Sequence, residues 1–279
     1  METTITIRRW DNGNVIFSHT CEYNTISKTI NEAVKQHVDL AYADLHNRFL
    51  SEIDMSDVNL TNANLNYTTI VNSVLIKANL SYASLKSCNI KYSDLGYIDL
   101  SSACLENALL SYVNMSYSVL KNADFNNARL VLTNWSFVDV SDTNLKEVEF
   151  DSVRFDCINF NRAKGINDQC PKEGSFIGWK KCIDNNNKIR YIVKLEIPAD
   201  AKRSSSTSSK CRCSHAKVLE IQHIDGMKTI INQVYSQFNY RTIYKVGEMV
   251  YPDSFDDRFW EECSNGIHFF MNREDAVKW

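Results

Sequence analysis

Three sets of side chains have types and spacings that could do chemistry, and all lie in the C-terminal part of the chain. Cys211-X-Cys213-X-His215 offers three soft ligands of the kind zinc takes. On a strand the three share one face, but alternate side chains then stand about 6.5–7 Å apart, long for a single metal unless the strand bends. No CxxC pair supplies further ligands, so strand residues without a metal are expected. Cys263 and His268 could pair as nucleophile and base. No carboxylate can be singled out to orient the histidine, and five residues across a turn guarantee no contact. Phosphate-loop, HExxH and GxSxG patterns are absent. The expectation is therefore a protein that is not an enzyme and needs no cofactor. The third set, Lys180, Lys181, Arg203, Lys210 and Arg212, is basic and suits a small anionic ligand.

The elements that must position these groups follow from patterning. Residues 174–182 and 189–198 read as strands around the turn Asp184-Asn185-Asn186-Asn187. Residues 204–209 read as a low-complexity loop and 211–224 as one further strand. A strand at 242–246, a short acidic helix near 259–263, a strand at 266–270 and a last helix complete a small α+β domain over 166–279. Asn272 is the expected N-cap of that helix, with Glu274 and Asp275 in its first turn.

Upstream, one pattern dominates. Every fifth residue from Leu40 to Phe160 is large and apolar, twenty-five positions without a break. At a chain-wide apolar content of 44% such a run has a chance on the order of 10⁻⁹. Two residues before each centre stand small or β-branched residues, such as Ala43, Ala63, Ala78, Ala83, Ala123 and Ala128, with Arg48 as a break. Asp or Asn often precedes the centre, as in Ala43-Asp44-Leu45, Ala78-Asn79-Leu80 and Ala123-Asp124-Phe125. A period of five matches neither helix nor simple strand and needs a turn in every unit. Four units closing a square coil, stacked at about 4.8 Å, give about six coils and a rod roughly 30 Å long.

Ala-(Asp/Asn)-Leu-X-X in tandem resembles the pentapeptide-repeat family. The resemblance implies a mainly β fold, a right-handed quadrilateral β-helix solenoid over 39–165. Its raw ends need caps. Residues 1–38 supply one: a hairpin through Ile5, Ile7, Val15 and Phe17 with its turn at 11–14, then a helix beginning at Asn24-Thr25. At the other end the centres enlarge to Trp135, Phe150, Phe155 and Phe160. The motifs Gly178-Trp179-Lys180-Lys181, Lys210-Cys211-Arg212, Tyr244-Lys245-Val246-Gly247 and Cys263-Ser264-Asn265-Gly266-Ile267-His268-Phe269-Phe270 are similar to an uncharacterised domain appended to pentapeptide repeats in phage, bacterial and giant-virus proteins. That resemblance implies a viral or mobile-element accessory factor acting on a host macromolecule.

Folding the repeat by twenty places Tyr97, Tyr117 and Phe137 at one position of successive coils, and Tyr92, Tyr112 and Leu132 at another on the adjacent face. Exposed aromatics are what interfaces use. The expected function is non-catalytic binding through the rod and the C-terminal domain, to a host protein or a second copy. Charge bears on the rest. The formal net charge is −3, with −5 on 39–165 and +2 on 166–279. Direct nucleic-acid binding is not expected. Some pentapeptide-repeat proteins mimic duplex DNA toward type II topoisomerases, but DNA carries about one charge per 1.7 Å, so −5 is a poor copy unless one face concentrates it. No apolar run approaches the roughly 18 residues of a membrane span, and no signal-peptide pattern opens the chain. The nine cysteines, odd in number and irregularly spaced, fit reduced thiols in the cytoplasm.

Overall fold

The computed structural model describes residues 1–158, 160, 162–166, 170–184, 189–205, 209–238, 241–258 and 264–279. The chain divides into two units, Met1–Gly165 and Ile166–Trp279.

The first unit begins with the expected cap. Strands β1 (Glu2–Arg8) and β2 (Val15–Glu22) pair antiparallel, with Ile5 opposite His19. Helix α1 (Ile26–Lys35) follows, its N-cap Thr25 accepting from the Lys28 amide at 3.2 Å. Thr29, Ile30 and Ala33 are its buried face. The cap is sewn to the first coils through their backbone. Arg8 O accepts from the Asp44 amide, Trp10 Nε1 donates to Asn62 O at 2.6 Å, and Ser27 Oγ and Asn31 Oδ1 accept from the amides of Ser51 and Asp54. Amides that would otherwise end the solenoid unpaired are thereby satisfied.

The coil has the inferred twenty-residue period. Strands β3 (Phe49–Ser51), β4 (Thr69–Val71), β5 (Asn89–Lys91), β6 (Leu109–Ser111), β7 (Arg129–Val131) and β8 (Glu149–Asp151) form a parallel sheet. Leu50 faces Ile70, which faces Ile90. The other three sides are joined by single bridges at the same offset, such as Asp44 to Asn64, Asp54 to Val74 and Asn59 to Asn79. A corner follows every centre. The residue two places after it adopts a left-handed backbone, from Tyr42 (φ 62°) to Cys157 (φ 53°), and none of these corner residues is glycine. Such a conformation costs a non-glycine residue roughly 1–2 kcal/mol. It is held because the corner amide donates to the next coil, as Tyr117 N does to Ser136 O at 3.0 Å.

The centres from Leu40 to Leu145 are buried, with the small residues two places earlier filling the remaining interior. Trp135 meets Phe125, Phe150 and Phe155 edge to face at 5.3, 6.1 and 6.2 Å. Phe150, Phe155 and Phe160 are only half-buried, so the core opens toward its aromatic end. The repeat stops at Gly165, where φ is +76° and a Cβ would stand 2.6 Å from the Lys146 backbone. Only glycine fits there.

Among the described residues, the second unit is a single sheet with one short helix. Its strands are β9 (Phe176–Ile183), β10 (Arg190–Ile197), β11 (Arg203–Ser205), β12 (Lys210–Cys213), β13 (Ala216–His223), β14 (Gln233–Ser236), β15 (Ile243–Lys245), β16 (Met249–Val250) and β17 (Ile267–Phe270), and its helix is α2 (Arg273–Lys278). The order is β11-β12-β17-β9-β10-β13-β16, with β14 against β9 and β15 against β14. Two expectations need correction. The span 211–224 is two strands, because the chain turns at Ser214-His215 to leave β12 beside β17 and start β13 beside β10. The serine-rich span 204–209 is partly strand: Ser204 and Ser205 are buried and pair with β12. The turn at 185–187 and the helix near 259–263 lie outside the described residues. Asn272 stands at the N-cap position of α2 without a side-chain capping bond.

The core of this unit packs Cys182, Tyr191, Val193, Leu195, Val218, Val234, Tyr244 and Phe269. Gly178 lets Phe269 close on β9, since a Cβ there would lie 2.5 Å from the ring. On the other face Ala276 of α2 packs with Ile192 and Phe270. Arg273 fixes that helix by donating to Gln222 Oε1 and to the carbonyls of His223 and Ile224. Among the described residues, no helix is long and apolar enough to cross a membrane.

Candidate functional site

On the rod, the residues singled out do come together. Tyr92 stacks on Tyr112 with ring centroids 5.0 Å apart, and Tyr97, Tyr117 and Phe137 form a continuous stack at 4.9 and 4.8 Å. All five are left-handed corner residues with about half their surface exposed. The coil spacing sets the ring spacing, so the rings cover one another's faces and turn their edges and hydroxyls outward. The two columns stand at the two corners of one side of the coil, residues 93–95 and their counterparts twenty and forty further on.

Between the columns runs a feature that the sequence reading passed over. Asn134 Nδ2 donates to Asn114 Oδ1 at 3.1 Å, and Asn114 Nδ2 donates to Asp94 Oδ1 at 2.8 Å. Each of these oxygens also accepts the amide two residues on, those of Gly96, Ser116 and Ser136 for Asp94, Asn114 and Asn134. The Asp or Asn before the centre therefore closes the corner and links coils at once. The signal was present in the recurring Asp or Asn before the centre. The face is a flat polar ladder rimmed by aromatic columns.

In the second unit the basic residues separate into two groups. Lys180, Lys181 and Lys210 line one small recess together with Gln237, Phe238, His268, Phe270 and Trp279. Arg203 and Arg212 are not among its lining residues. Arg203 donates to the carbonyls of Pro171, Gly174, Pro198, Ala199 and Ala201 and lies over the Phe176 ring. It pins loops together. Arg212 is buried and donates to Arg258 O at 2.6 Å.

Of the metal and nucleophile candidates, all but Cys263 lie within the described residues. Cys211 and Cys213 are both fully buried, and His215 lies beyond the strand end, stacked on Tyr251. The Cys211 thiol is pushed up by its hydrogen bond to Cys170 and then by burial, and burial pushes Cys213 up to about 12. No three His, Cys, Asp or Glu side chains among the described residues are placed to hold a metal. Cys263 lies outside the described residues. His268 Nε2 donates to Ser264 O at 2.8 Å, and burial, then Lys180 and Lys210, push its pKa down to about 3. It is a neutral, hydrogen-bonded imidazole.

A family model for pentapeptide repeats matches residues 39–75, 53–91, 70–107 and 103–134, within the stretch that carries the left-handed corners and the twenty-residue bridges. The rod is built of pentapeptide repeats. The C-terminal unit matches a family of unknown function, DUF5758, over residues 166–276. No curated protein matches the chain in sequence. Solved structures similar to it include a pentapeptide repeat protein (Rfr23) from the cyanobacterium Cyanothece 51142. It is 16% identical, with 50% of this chain and 98% of that chain covered at a TM-score of 0.36. QnrB1, a plasmid-mediated fluoroquinolone resistance protein, is 14% identical over 45% of this chain and 73% of its own, at 0.35. HetL, from the cyanobacterium Nostoc sp. strain PCC 7120, is 23% identical over 47% and 82%, at 0.19. These likenesses carry no argument about function.

Within the pentapeptide rod the aromatic columns were legible from a twenty-residue fold of the sequence. In the DUF5758 unit Gln237, Phe238, Phe270 and Trp279 were missed as recess residues. Gln237, Phe238 and Trp279 are far from Lys180 in the chain and carry no motif, while Phe270 stands in a quoted motif and reads there only as a strand residue.

Proposed function

We propose that this chain is a non-catalytic binding protein and that its pentapeptide rod holds a protein partner on the face between the aromatic columns. One observation carries the reading: Tyr92, Tyr97, Tyr112, Tyr117 and Phe137 stand exposed along both corners of the Asp94–Asn114–Asn134 ladder. Aromatic residues dominate interface energetics. Rings already fixed by stacking lose little rotamer freedom on association. The ladder amides are satisfied within the rod, so covering them adds no orphan polar group. A viral or mobile-element origin, as the C-terminal resemblance implies, makes the partner a host protein, in a reducing cytoplasm that suits the buried free thiols.

A topoisomerase-directed DNA mimic is the weaker reading. It needs one densely acidic side, and Asp39, Asp99 and Asp139 are the most carboxylates that the mid-side positions of any one side gather. An enzyme using Cys263 and His268 is weaker still, because a histidine neutral through burial and neighbouring lysines, with Nε2 committed to Ser264 O, is a poor base.

The test places a photoreactive phenylalanine at Tyr117 in the full chain and follows crosslinking in host lysate beside sedimentation of the pure protein. The reading expects one dominant protein adduct, a second copy or another chain, that falls at least tenfold when Tyr97→Ala is added while the melting temperature stays within a few degrees. Crosslinking and association unchanged by Tyr97→Ala overturn it.

A further inference from the structure

The repeat breaks its own rule on one side of the rod, between the corners at Asn62 and Tyr67. The column before the centre there reads Asp44, Asn64, Ser84, Cys104, Asp124 and Asn144. At its two ends the polar ladder is intact: Asn64 Nδ2 donates to Asp44 Oδ1 at 3.3 Å, and Asn144 Nδ2 to Asp124 Oδ1 at 2.8 Å. Ser84 and Cys104 carry no such rung between them. A substitute closes the corner after Ser84. Asn66, from the coil before, accepts the Lys86 amide at 2.8 Å and the Ser84 hydroxyl at 2.7 Å. Beside the short Ser84 side chain lies an open hollow of about 270 Å³, lined by Trp10, Asn62, Asn64, Asn66, Tyr82 and Ser84.

Two exposed rings bound this hollow. The Trp10 amide donates to Tyr42 O at 3.0 Å and its Nε1 to Asn62 O at 2.6 Å, so the indole is tied at both ends while half its surface stays open. Tyr82 is exposed at a left-handed corner whose neighbours on the adjoining coils are Asn62 and Ser102. Tyr97 and Tyr117 cover one another's faces, whereas among the described residues no ring stacks on Tyr82 or on Trp10. A ring held in place with its face uncovered loses little freedom when something covers it.

The polar wall is neutral. None of the lining residues is charged, and nearby charges are paired off: Arg9 with Asp11, and Lys86 with Glu106. The Lys86 amide can only donate, which fixes Asn66 Oδ1 toward it and leaves Asn66 Nδ2 with no partner among the described residues. Ser84 Oγ gives its proton to Asn66 and keeps its lone pairs. Asn64 spends one N–H on Asp44 and one lone pair on the Asn66 amide, and holds one of each in reserve. An ion entering here would find no counter-charge, and an apolar molecule would strand the amides. A pyranose suits both parts of the wall: its C–H face covers an aromatic ring, and its rim hydroxyls donate and accept.

We propose that this hollow binds one neutral pyranose, its C–H face on Trp10, its hydroxyls at Asn66 Nδ2, Asn64 and Ser84 Oγ, and Tyr82 flanking it. The volume is at the small end of ligand sites, which begin near about 300 Å³, and suits a single sugar ring. The hollow lies two sides of the coil away from the Asp94 ladder, so it stands or falls independently of that face.

Saturation-transfer NMR titrations of the full chain test this, with methyl β-D-glucopyranoside, methyl β-D-galactopyranoside and methyl α-D-mannopyranoside as probes. Sorbitol, which has the hydroxyls without the ring, is the control. At least one glycoside should bind saturably with a Kd below about 10 mM, and sorbitol at least tenfold more weakly. Transfer should be strongest at the axial C–H protons of the bound glycoside. Ser84→Asn restores the residue type that the repeat uses at this position and fills the hollow. It should keep the melting temperature within a few degrees and weaken binding at least tenfold. Trp10→Ala should weaken binding as much. Absence of saturable binding with all three glycosides overturns the proposal, as does sorbitol bound equally tightly. Binding that survives intact in folded Ser84→Asn or folded Trp10→Ala also overturns it. Should one variant fail to fold, the other decides the matter together with the ratio of glycoside to sorbitol affinity, and that ratio decides it alone should both fail.

Discussion

Tyr97 and Tyr117, twenty residues apart in the chain, stack with ring centroids 4.9 Å apart and planes 6° from parallel. Their separation is the rise of one coil, so the stack is imposed by the backbone ladder and not chosen by the rings. Both are left-handed corner residues, φ 59° and 60°, a conformation that most side chains avoid. The stack therefore repays part of the corner's conformational cost while leaving ring edges exposed.

A double-mutant cycle on Tyr97→Ala and Tyr117→Ala should give a coupling of about 0.5–1.5 kcal/mol, the usual range for aromatic pairs. Denaturant unfolding of the four proteins measures it. A coupling indistinguishable from zero would mean the rings are merely adjacent.

The bridges at an offset of twenty set a rule for deletions. Removing residues 81–100, one full coil, should leave a soluble rod with a cooperative melt, because each coil contacts mainly its neighbours. Removing Ser101 alone should abolish folding, since every later centre leaves the core. Equal behaviour of the two deletions would contradict the four-sided coil.

Arg203 joins two backbone segments, 171–174 and 198–201, through five carbonyls. Arg203→Ala should destabilise the C-terminal unit by about 2–3 kcal/mol, as expected where hydrogen bonds to a charged group are lost. Arg203→Lys should recover less than half, because an ammonium cannot reproduce the planar fork. Thermal denaturation of the three proteins checks both. Full rescue by lysine would show that only charge matters there.

His268 sets a pH dependence. Burial, Lys180 and Lys210 hold its folded pKa near 3, while an unfolded histidine titrates near 6.5. Between those values the unfolded chain binds the extra proton, so stability falls as pH drops from about 6.5 toward 3. The slope contributed by this one group approaches 1.4 kcal/mol per pH unit. His268→Gln, which can still donate to Ser264 O, should remove that component. Wild type and variant showing parallel stability curves over pH 4–6.5 would refute the assignment.

The local and repetitive part of this protein was written in its sequence. The five-residue phase from Leu40 to Phe160, the small partners such as Ala78 and Ala123, and the Thr25-capped helix α1 follow from short-range pattern. A solenoid repeats one set of contacts, so a period read once holds throughout. The corner conformation was not legible, because Tyr, Asn, Asp, Ser and Lys all occupy it without glycine. The inter-coil bond decides it, and that bond exists only once the coils stack. In the C-terminal unit the tertiary structure decided more. Lys180 and Lys210 meet because β17 inserts between β9 and β12, and the span 211–224 breaks because its two halves find different partners. The sheet is built from pairings between residues distant in the chain, and no local pattern states which strands those will be.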